Sequence, residues 1–239
     1  MPQAAYATDP PSCGAFMPAA VIFDNDGLTL DTEHTWTRAE SRLYARYGTE
    51  FTLDHKREML GTSGAKSAMA MERHLDQAGR GHELHAELRA LVHDELDGAG
   101  VDAMPGAREL IAALRERGVP IGLATNSGRE FATRALRAAG VLDCFDAVVS
   151  AEEVEHPKPA PDVYVEAAAR LGADPAASVA LEDSETGVAA ALAAGMTVVG
   201  VPSFPGVALD EANLVVPALT DPRVWELLEL PIPDERPVP

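Results

Sequence analysis

A chain of 239 residues, 46% hydrophobic and 24% charged, is long enough to bury a sizeable core and has the make-up of a globular protein, which excludes a disordered or fibrous one. Its 38 acidic residues against 19 lysines and arginines give a formal charge of −19, so no nucleic-acid or membrane partner is expected. A small phosphate ester is not excluded, because a metal ion and one or two placed cations invert the potential inside a pocket. Cys13 and Cys144 make no disulfide framework, residues 1–17 lack the basic start and apolar run of a signal peptide, and no apolar stretch is long enough to span a bilayer. A cytoplasmic protein with free thiols is expected.

Residues 1–17, with Pro2, Pro10, Pro11 and Gly14, and the proline-rich residues 231–239 read as flexible extensions. Between them, short apolar runs at 19–23, 120–124, 147–149, 178–181 and 197–201 predict buried strands. Helical spacing at 106–117, 129–139 and 162–171 is closed in each case by a glycine, Gly118, Gly140 and Gly172. The alternation predicts an α/β fold with a Rossmann-like parallel sheet core and helices on both faces. From 34 to 103 no strand is apparent, while 35–47, 65–78 and 83–96 carry helical spacing. This predicts an inserted α-helical cap at 34–103, with the core split into 18–33 and 104–230. The Ala-rich stretch 188–194 reads as a tightly packed helix.

In such sheets ligands sit beyond the carboxyl ends of the strands, so the residues just after each apolar run carry the interest. The first run leads into Asp24-Asn25-Asp26-Gly27. Two carboxylates beside a hydrophobic strand are tolerable only with a compensating cation or proton, and hard oxygen ligands suit Mg²⁺. Asn-Asp-Gly is also ordinary turn chemistry. An EF-hand loop is excluded, because Leu28 and Thr29 replace its oxygen ligand and glycine, and Thr35 its glutamate. The second run ends in Thr125-Asn126-Ser127-Gly128 at a helix start, a place that attracts anions, or where Ser127 or Asn126 is simply an N-cap. Lys158 stands between Pro157 and Pro159 on a stiff loop. The fourth run ends in Glu182-Asp183-Ser184, a further acid pair, for which the plain alternative is helix capping by Asp183 or Ser184.

In order, Phe23-Asp24-Asn25-Asp26-Gly27-Leu28-Thr29-Leu30-Asp31-Thr32-Glu33, Thr125-Asn126-Ser127, Lys158-Pro159 and Glu182-Asp183-Ser184 resemble the motifs of the haloacid dehalogenase-like hydrolases, in the branch with a helical cap inserted after the first motif. The likeness spans nearly the whole chain. It implies that Asp24 is a nucleophile forming an aspartyl-phosphate, and that Asp26 protonates the leaving oxygen and then activates water. It further implies that Thr125 and Lys158 bind the transferring phosphoryl group. Mg²⁺ would be held by the Asp24 carboxylate, the Asp26 main-chain carbonyl and Asp183, with Glu182 positioning its outer ligands.

The acid at Asp26 favours phosphate-ester hydrolysis over dehalogenation or phosphonate cleavage by the family pattern. A sugar phosphomutase similar to beta-phosphoglucomutase shares the cap and the four motifs, but that pattern expects His at Trp36 and a cap Arg at Gly64. The string around Trp36 is similar to that of hexose-phosphate phosphatases. Asn126, Glu33, Trp36 and Lys66 are the expected substrate-binding residues, with Arg73 and His34 as further candidates. His82 and His85 are not a zinc-protease pair, because Ala86 occupies the position the second His would need. Sugar phosphates, phosphoglycolate and nucleoside monophosphates are the expected substrates, in that order, and the chain is expected to be a monomer or weak homodimer. A catalytically silent Mg²⁺-binding scaffold is the alternative from a different class.

Overall fold

A computed structural model describes residues 17–59, 64–203 and 207–232. The expectations for most of 1–17 and 231–239 and for Cys13 lie outside them. Strand β1 (Val21–Phe23) is followed by four helices, α1 (Thr32–Arg46), α2 (Leu53–Met59), α3 (Gly64–His74) and α4 (Gly81–Gly98). The chain continues through α5 (Ala107–Glu116), β2 (Ile121–Thr125), α6 (Arg129–Ala138), β3 (Ala147–Ser150) and α7 (Asp162–Leu171). It then forms β4 (Val179–Glu182), α8 (Glu185–Ala193), β5 (Thr197–Gly200), β6 (Leu214–Val215) and α9 (Pro222–Leu227). The strands make one all-parallel sheet in the order β3-β2-β1-β4-β5-β6. The fold is the expected Rossmann-like α/β sheet with an inserted helical cap.

The continuous apolar runs follow from burial on both faces. Alternate residues point to opposite sides. Val21, Phe23, Leu123, Leu181 and Val199 join a cluster with Leu110 of α5, Phe131 of α6 and Trp225 of α9. Ile22, Ala124, Ala180 and Val198 join a second cluster with Tyr164 of α7 and Val188 of α8. The small residues of 188–194 let α8 pack close, with Ala190 and Ala191 fully buried.

The chain order β1, β2, β3 runs outward on one side and β4, β5, β6 on the other, so it reverses between β1 and β4. Pairing of Phe23 with Leu181, and the Asp24 N–H donated to the Leu181 carbonyl at 3.0 Å, brings the ends of these two strands together. This topological switch point is where an open α/β sheet leaves a crevice.

Several elements depart from the sequence-based expectation, among them α9, where no helix is predicted, and α3, which ends at His74 rather than near 78. Helix α1 starts at Thr32 rather than near 35, because the Asp31 carboxylate caps it by accepting from the His34 N–H at 3.5 Å. Helix α2 has almost no apolar periodicity, with Met59 its one buried residue. It is fixed instead by reciprocal bonds, His55 N–H to Thr52 Oγ1 at 3.3 Å and Thr52 N–H to His55 Nδ1 at 3.2 Å. Strand β6 is two residues long at the sheet edge, below what a hydrophobic pattern registers.

The helices before α5 pack on one another through Leu43, Tyr44, Met71, Leu84, Leu88 and Leu91, all buried. Glu95 of α4 receives both Arg38 at 2.8 Å and Arg42 at 2.6 Å from α1. Against the sheet domain, Trp36 rests on Phe131 at 5.5 Å, and Arg134 of α6 reaches Asp97 of α4 at 3.1 Å. Among the described residues no helix is long and apolar enough to cross a membrane, and Cys144 is a free thiol.

Candidate active site

Asp24, Asp26, Thr125, Lys158, Glu182 and Asp183, scattered over 160 positions of sequence, meet at the switch point. Lys158 is at the centre, only 6% exposed. Its ammonium donates to Asp24 Oδ1 at 2.6 Å, Glu182 Oε1 at 2.6 Å and the Ala124 carbonyl at 2.8 Å, which uses all three of its N–H groups. Burial alone lowers a lysine's pKa, but the Asp24 and Glu182 carboxylates outweigh it and hold Lys158 above its ordinary value, so it is fully charged at neutral pH.

The Lys158 loop is anchored by Asn126, whose Oδ1 accepts from the Lys158 N–H at 2.9 Å and whose Nδ2 donates to the Lys158 carbonyl at 3.2 Å. Neither Asn126 nor Ser127 caps α6, because Gly128 occupies that position. The Ser127 hydroxyl goes instead to Asp26 Oδ2 at 2.7 Å, and the Thr32 hydroxyl to Asp26 Oδ1 at 2.7 Å. Asp26 is thereby oriented by one hydroxyl from the cap side and one from the end of β2. Thr125 is 1% exposed; its hydroxyl lies 3.4 Å from Asp26 Oδ2 and accepts from the Ser127 N–H at 3.0 Å.

Glu182 is fully buried, and its carboxylate is saturated. Besides Lys158 it accepts from Tyr164 at 2.6 Å, the Asp183 N–H at 3.1 Å and Ser184 at 3.2 Å. Ser184 also caps α8, accepting from the Gly187 N–H at 3.1 Å, so the capping and site readings of this segment are both realised. Gly187 is required by close approach, since a Cβ there would stand 1.9 Å from the Glu182 carboxyl. Gly187→Ala is expected to displace Glu182, lowering stability by about 1–3 kcal/mol in the manner of an overpacked core; thermal melting of the variant reads this directly.

Asp183 accepts from Ser203 at 2.6 Å. Gly27, with φ +80°, leaves room for its carboxylate, which a Cβ at that position would meet at 2.4 Å. The ligand oxygens of Asp24, Glu182 and Asp183 lie within 4.8 Å of one another. Burial first, opposed by Lys158, leaves the Asp24 carboxyl well above the usual carboxylate range. Burial and then the Glu182 carboxylate raise Asp183 from an ordinary 3.8 to about 7. Three crowded carboxylates share Lys158 as the cation among them; Glu182, expected beside the metal, has both oxygens committed to Lys158, Tyr164, the Asp183 N–H and Ser184, which leaves Asp24 and Asp183 as the hard oxygen donors, a set that fits Mg²⁺.

This has a measurable consequence. A carboxyl whose folded pKa is raised contributes stability in full below its unfolded value and loses it as pH rises through the folded value. The chelated protein is therefore expected to lose stability from about pH 4 to about pH 7, the window set by the Asp183 shift. Added Mg²⁺ is expected to raise the melting temperature more at alkaline than at acid pH, as calorimetry with and without chelator will show.

Two cavities flank the cluster. One, of about 510 Å³, runs from Gly27 and Ser203 to Glu33, Thr37 and Lys56. The other, of about 240 Å³, is bounded by Trp36, Arg89, His93, Ser127 and Glu152. Of the residues expected to bind substrate, Glu33 and Trp36 thus line different cavities, Asn126 anchors the Lys158 loop, and Lys66 is exposed on α3 and lines neither cavity. Sequence reasoning missed Thr32, Tyr164, Ser203 and Lys56. Of these, Lys56 had a readable signal, the Thr52–His55 cap that starts its helix.

The family model for haloacid dehalogenase-like hydrolases matches residues 21–201. The chain is 33% identical over 216 residues to Hexitol phosphatase B of Escherichia coli O157:H7, covering 87% of this chain and 96% of that protein. It is 33% identical over 204 residues to Validoxylamine A 7'-phosphate phosphatase of Streptomyces hygroscopicus subsp. limoneus, covering 84% and 94%. Among solved structures, CbbY from Rhodobacter sphaeroides in complex with phosphate matches with a TM-score of 0.74 at 26% identity, covering 86% of this chain and 96% of that one.

Proposed function

The chain belongs to the haloacid dehalogenase-like hydrolases, and from that premise we propose that it is a Mg²⁺-dependent phosphatase hydrolysing a small phosphate monoester, a sugar phosphate first among them, through an aspartyl-phosphate on Asp24. The observation that carries this reading is the pairing of Asp24 with Lys158 at the switch point, beside an Asp26 held by two hydroxyls. The hexitol and validoxylamine phosphatases named above support the choice of a sugar-like ester.

An Asp24 oxygen attacks phosphorus as the bond to the ester oxygen breaks, and Asp26 delivers a proton to that leaving oxygen. Asp26 then takes a proton from water, which attacks the phosphorus and returns the Asp24 carboxylate with release of phosphate. The hydroxyls of Thr32 and Ser127 suit this double role, because both donate to ionised Asp26, one on each oxygen, and hold its carboxyl in place for proton transfer. Lys158, its three N–H groups already bonded, meets the charge spread over the phosphoryl oxygens through its fixed positive charge, and the Thr125 hydroxyl is the donor beside it. The Asp24 and Asp183 carboxylates and the Asp26 carbonyl would hold Mg²⁺, and Glu182, its own oxygens saturated, orients Lys158. When bound, the ion supplies positive charge that lets a phosphate dianion approach a carboxylate nucleophile. Residues 34–103 act as the cap that excludes water from the ester.

Phosphate release from a panel of sugar phosphates, phosphoglycolate and nucleoside monophosphates, with Mg²⁺ or with chelator, tests the reading. Metal-dependent release, fastest for sugar phosphates, is the expected result. No release from any ester by folded, Mg²⁺-loaded protein would turn the assignment to a phosphomutase or a non-catalytic scaffold.

A further inference from the structure

The larger cavity contains a charge arrangement that the reaction does not use. Lys56 of α2 lies between two carboxylates of α1, paired with Glu33 and with Glu40 Oε2 at 2.8 Å, and its side chain is 15% exposed. Glu40 is 6% exposed, and burial raises its pKa although Lys56 opposes the shift. Glu33, Lys56 and the hydroxyl-bearing Thr37 line the cavity, whose other end is formed by Gly27 and by Ser203, the partner of Asp183. Gly27 and Ser203 abut the Asp183 carboxylate, so the cavity adjoins the acidic cluster on that side.

Resting on the phosphatase reading above, we propose that this cavity holds the substrate's distal group, with Lys56 and Glu33 as its specificity-determining pair, and that it takes an uncharged polyhydroxylated group and rejects a second anionic one. The ammonium carries three N–H donors, of which one is bonded to Glu40, while Glu33 Oε1, paired with the ammonium in charge, is buried without a hydrogen-bond partner. The ammonium's other N–H groups and the Glu33 oxygens together present donors beside an acceptor, the pattern that adjacent hydroxyls satisfy. Among the lining residues the carboxylates of Asp31 and Glu33 stand against the Lys56 ammonium, which is itself shared with Glu40 behind it, and His34 is held to Asp31 at 2.6 Å, so the cavity offers an anion no uncommitted cation. A second phosphate or a carboxylate entering it meets like charge and loses its hydration without gaining an unshared cation.

The test compares kcat/KM for a hexitol monophosphate, a sugar bisphosphate, phosphoglycolate and acetyl phosphate, the last having no distal hydroxyls. The native protein is expected to prefer the hexitol monophosphate over the bisphosphate and phosphoglycolate by at least about tenfold, because a site built to bond hydroxyls discriminates strongly once its polar groups go unpaired. In Lys56→Met the ratio of hexitol monophosphate to acetyl phosphate should fall about tenfold, carried by KM, and Lys56→Arg should recover part of it. Glu33→Gln should narrow the gap to the bisphosphate. Equal loss on both substrates, which leaves the ratio unmoved, would mean that Lys56 merely staples α2 to α1 and would overturn the proposal. Titration calorimetry of hexitol monophosphate and of inorganic phosphate on Asp24→Asn, with and without Lys56→Met, gives the same comparison without turnover. If no ester is hydrolysed but Lys56→Met weakens hexitol monophosphate selectively, the phosphatase reading falls and this one stands. If acetyl phosphate is hydrolysed and the binding ratio does not move, this one falls alone.

Discussion

Asp24→Asn is expected to reduce phosphate release to background, a loss of roughly 10⁵–10⁶ in kcat by analogy with removal of other covalent nucleophiles, while the protein stays folded. The amide has the carboxylate's shape but neither its charge nor its nucleophilicity. Stability provides the control. In the metal-free chain the Asp24 carboxyl is raised by burial in spite of Lys158, so its ionised form is worse off folded than unfolded. A neutral isostere removes that penalty, and the melting temperature of the chelated variant near pH 8 should not fall below that of the native chain. Rapid quench with labelled ester should trap phosphoprotein from the native chain and none from the variant. Persistent turnover in Asp24→Asn would remove it from the nucleophile's role.

Lys158→Met is expected to have the largest effect on stability. Glu182 is fully buried and Asp24 is 7% exposed, and the ammonium between them is their common cation. Removing one partner of a buried charge network leaves the others uncompensated, at about 3–5 kcal/mol. For a protein of this size that is a fall of about 6–20 °C in melting temperature. The Lys158 pKa is raised, so its contribution is whole below its ordinary value of 10.5 and is fully present at neutral pH. Adding Glu182→Gln to Lys158→Met should restore part of the loss by removing the stranded charge, and a double-mutant cycle on thermal melts measures the coupling. Additive effects would show that the pair is not the stabilising unit. Activity should not return in the double variant, because the phosphoryl oxygens have lost their cation.

Much of this molecule is legible in one dimension because the relevant signals are local. A buried parallel strand needs a continuous apolar run, and a ligand-bearing loop must follow its carboxyl end, so Asp24, Thr125 and Glu182 announce themselves by position alone. Polar residues that serve a neighbour rather than themselves are less visible. Ser127 has the sequence context of an N-cap and Ser184 of a cap, yet the first holds Asp26 and the second both caps α8 and bonds Glu182. Tyr164 looks like a core aromatic of α7, and its hydroxyl proves to be a donor to Glu182 only because α7, packed on β2 and β3, carries it to the end of β4.

The sequence by itself determined the alternation of strands and helices, the inserted helical stretch and the order of the charged motifs, since these depend on hydrophobic period and on which residues tolerate turns. Only the tertiary structure decided which charges meet. The reversal of strand order between β1 and β4 brings Asp24 beside Glu182, Lys158 from a distant loop fills the gap between them, and α2, almost silent in hydrophobic pattern, carries Lys56 to Glu33 and Glu40. Asp24 and Lys158 alone are 134 positions apart, and Coulomb energy depends on separation in space and on the exclusion of water, neither of which is written in residue order.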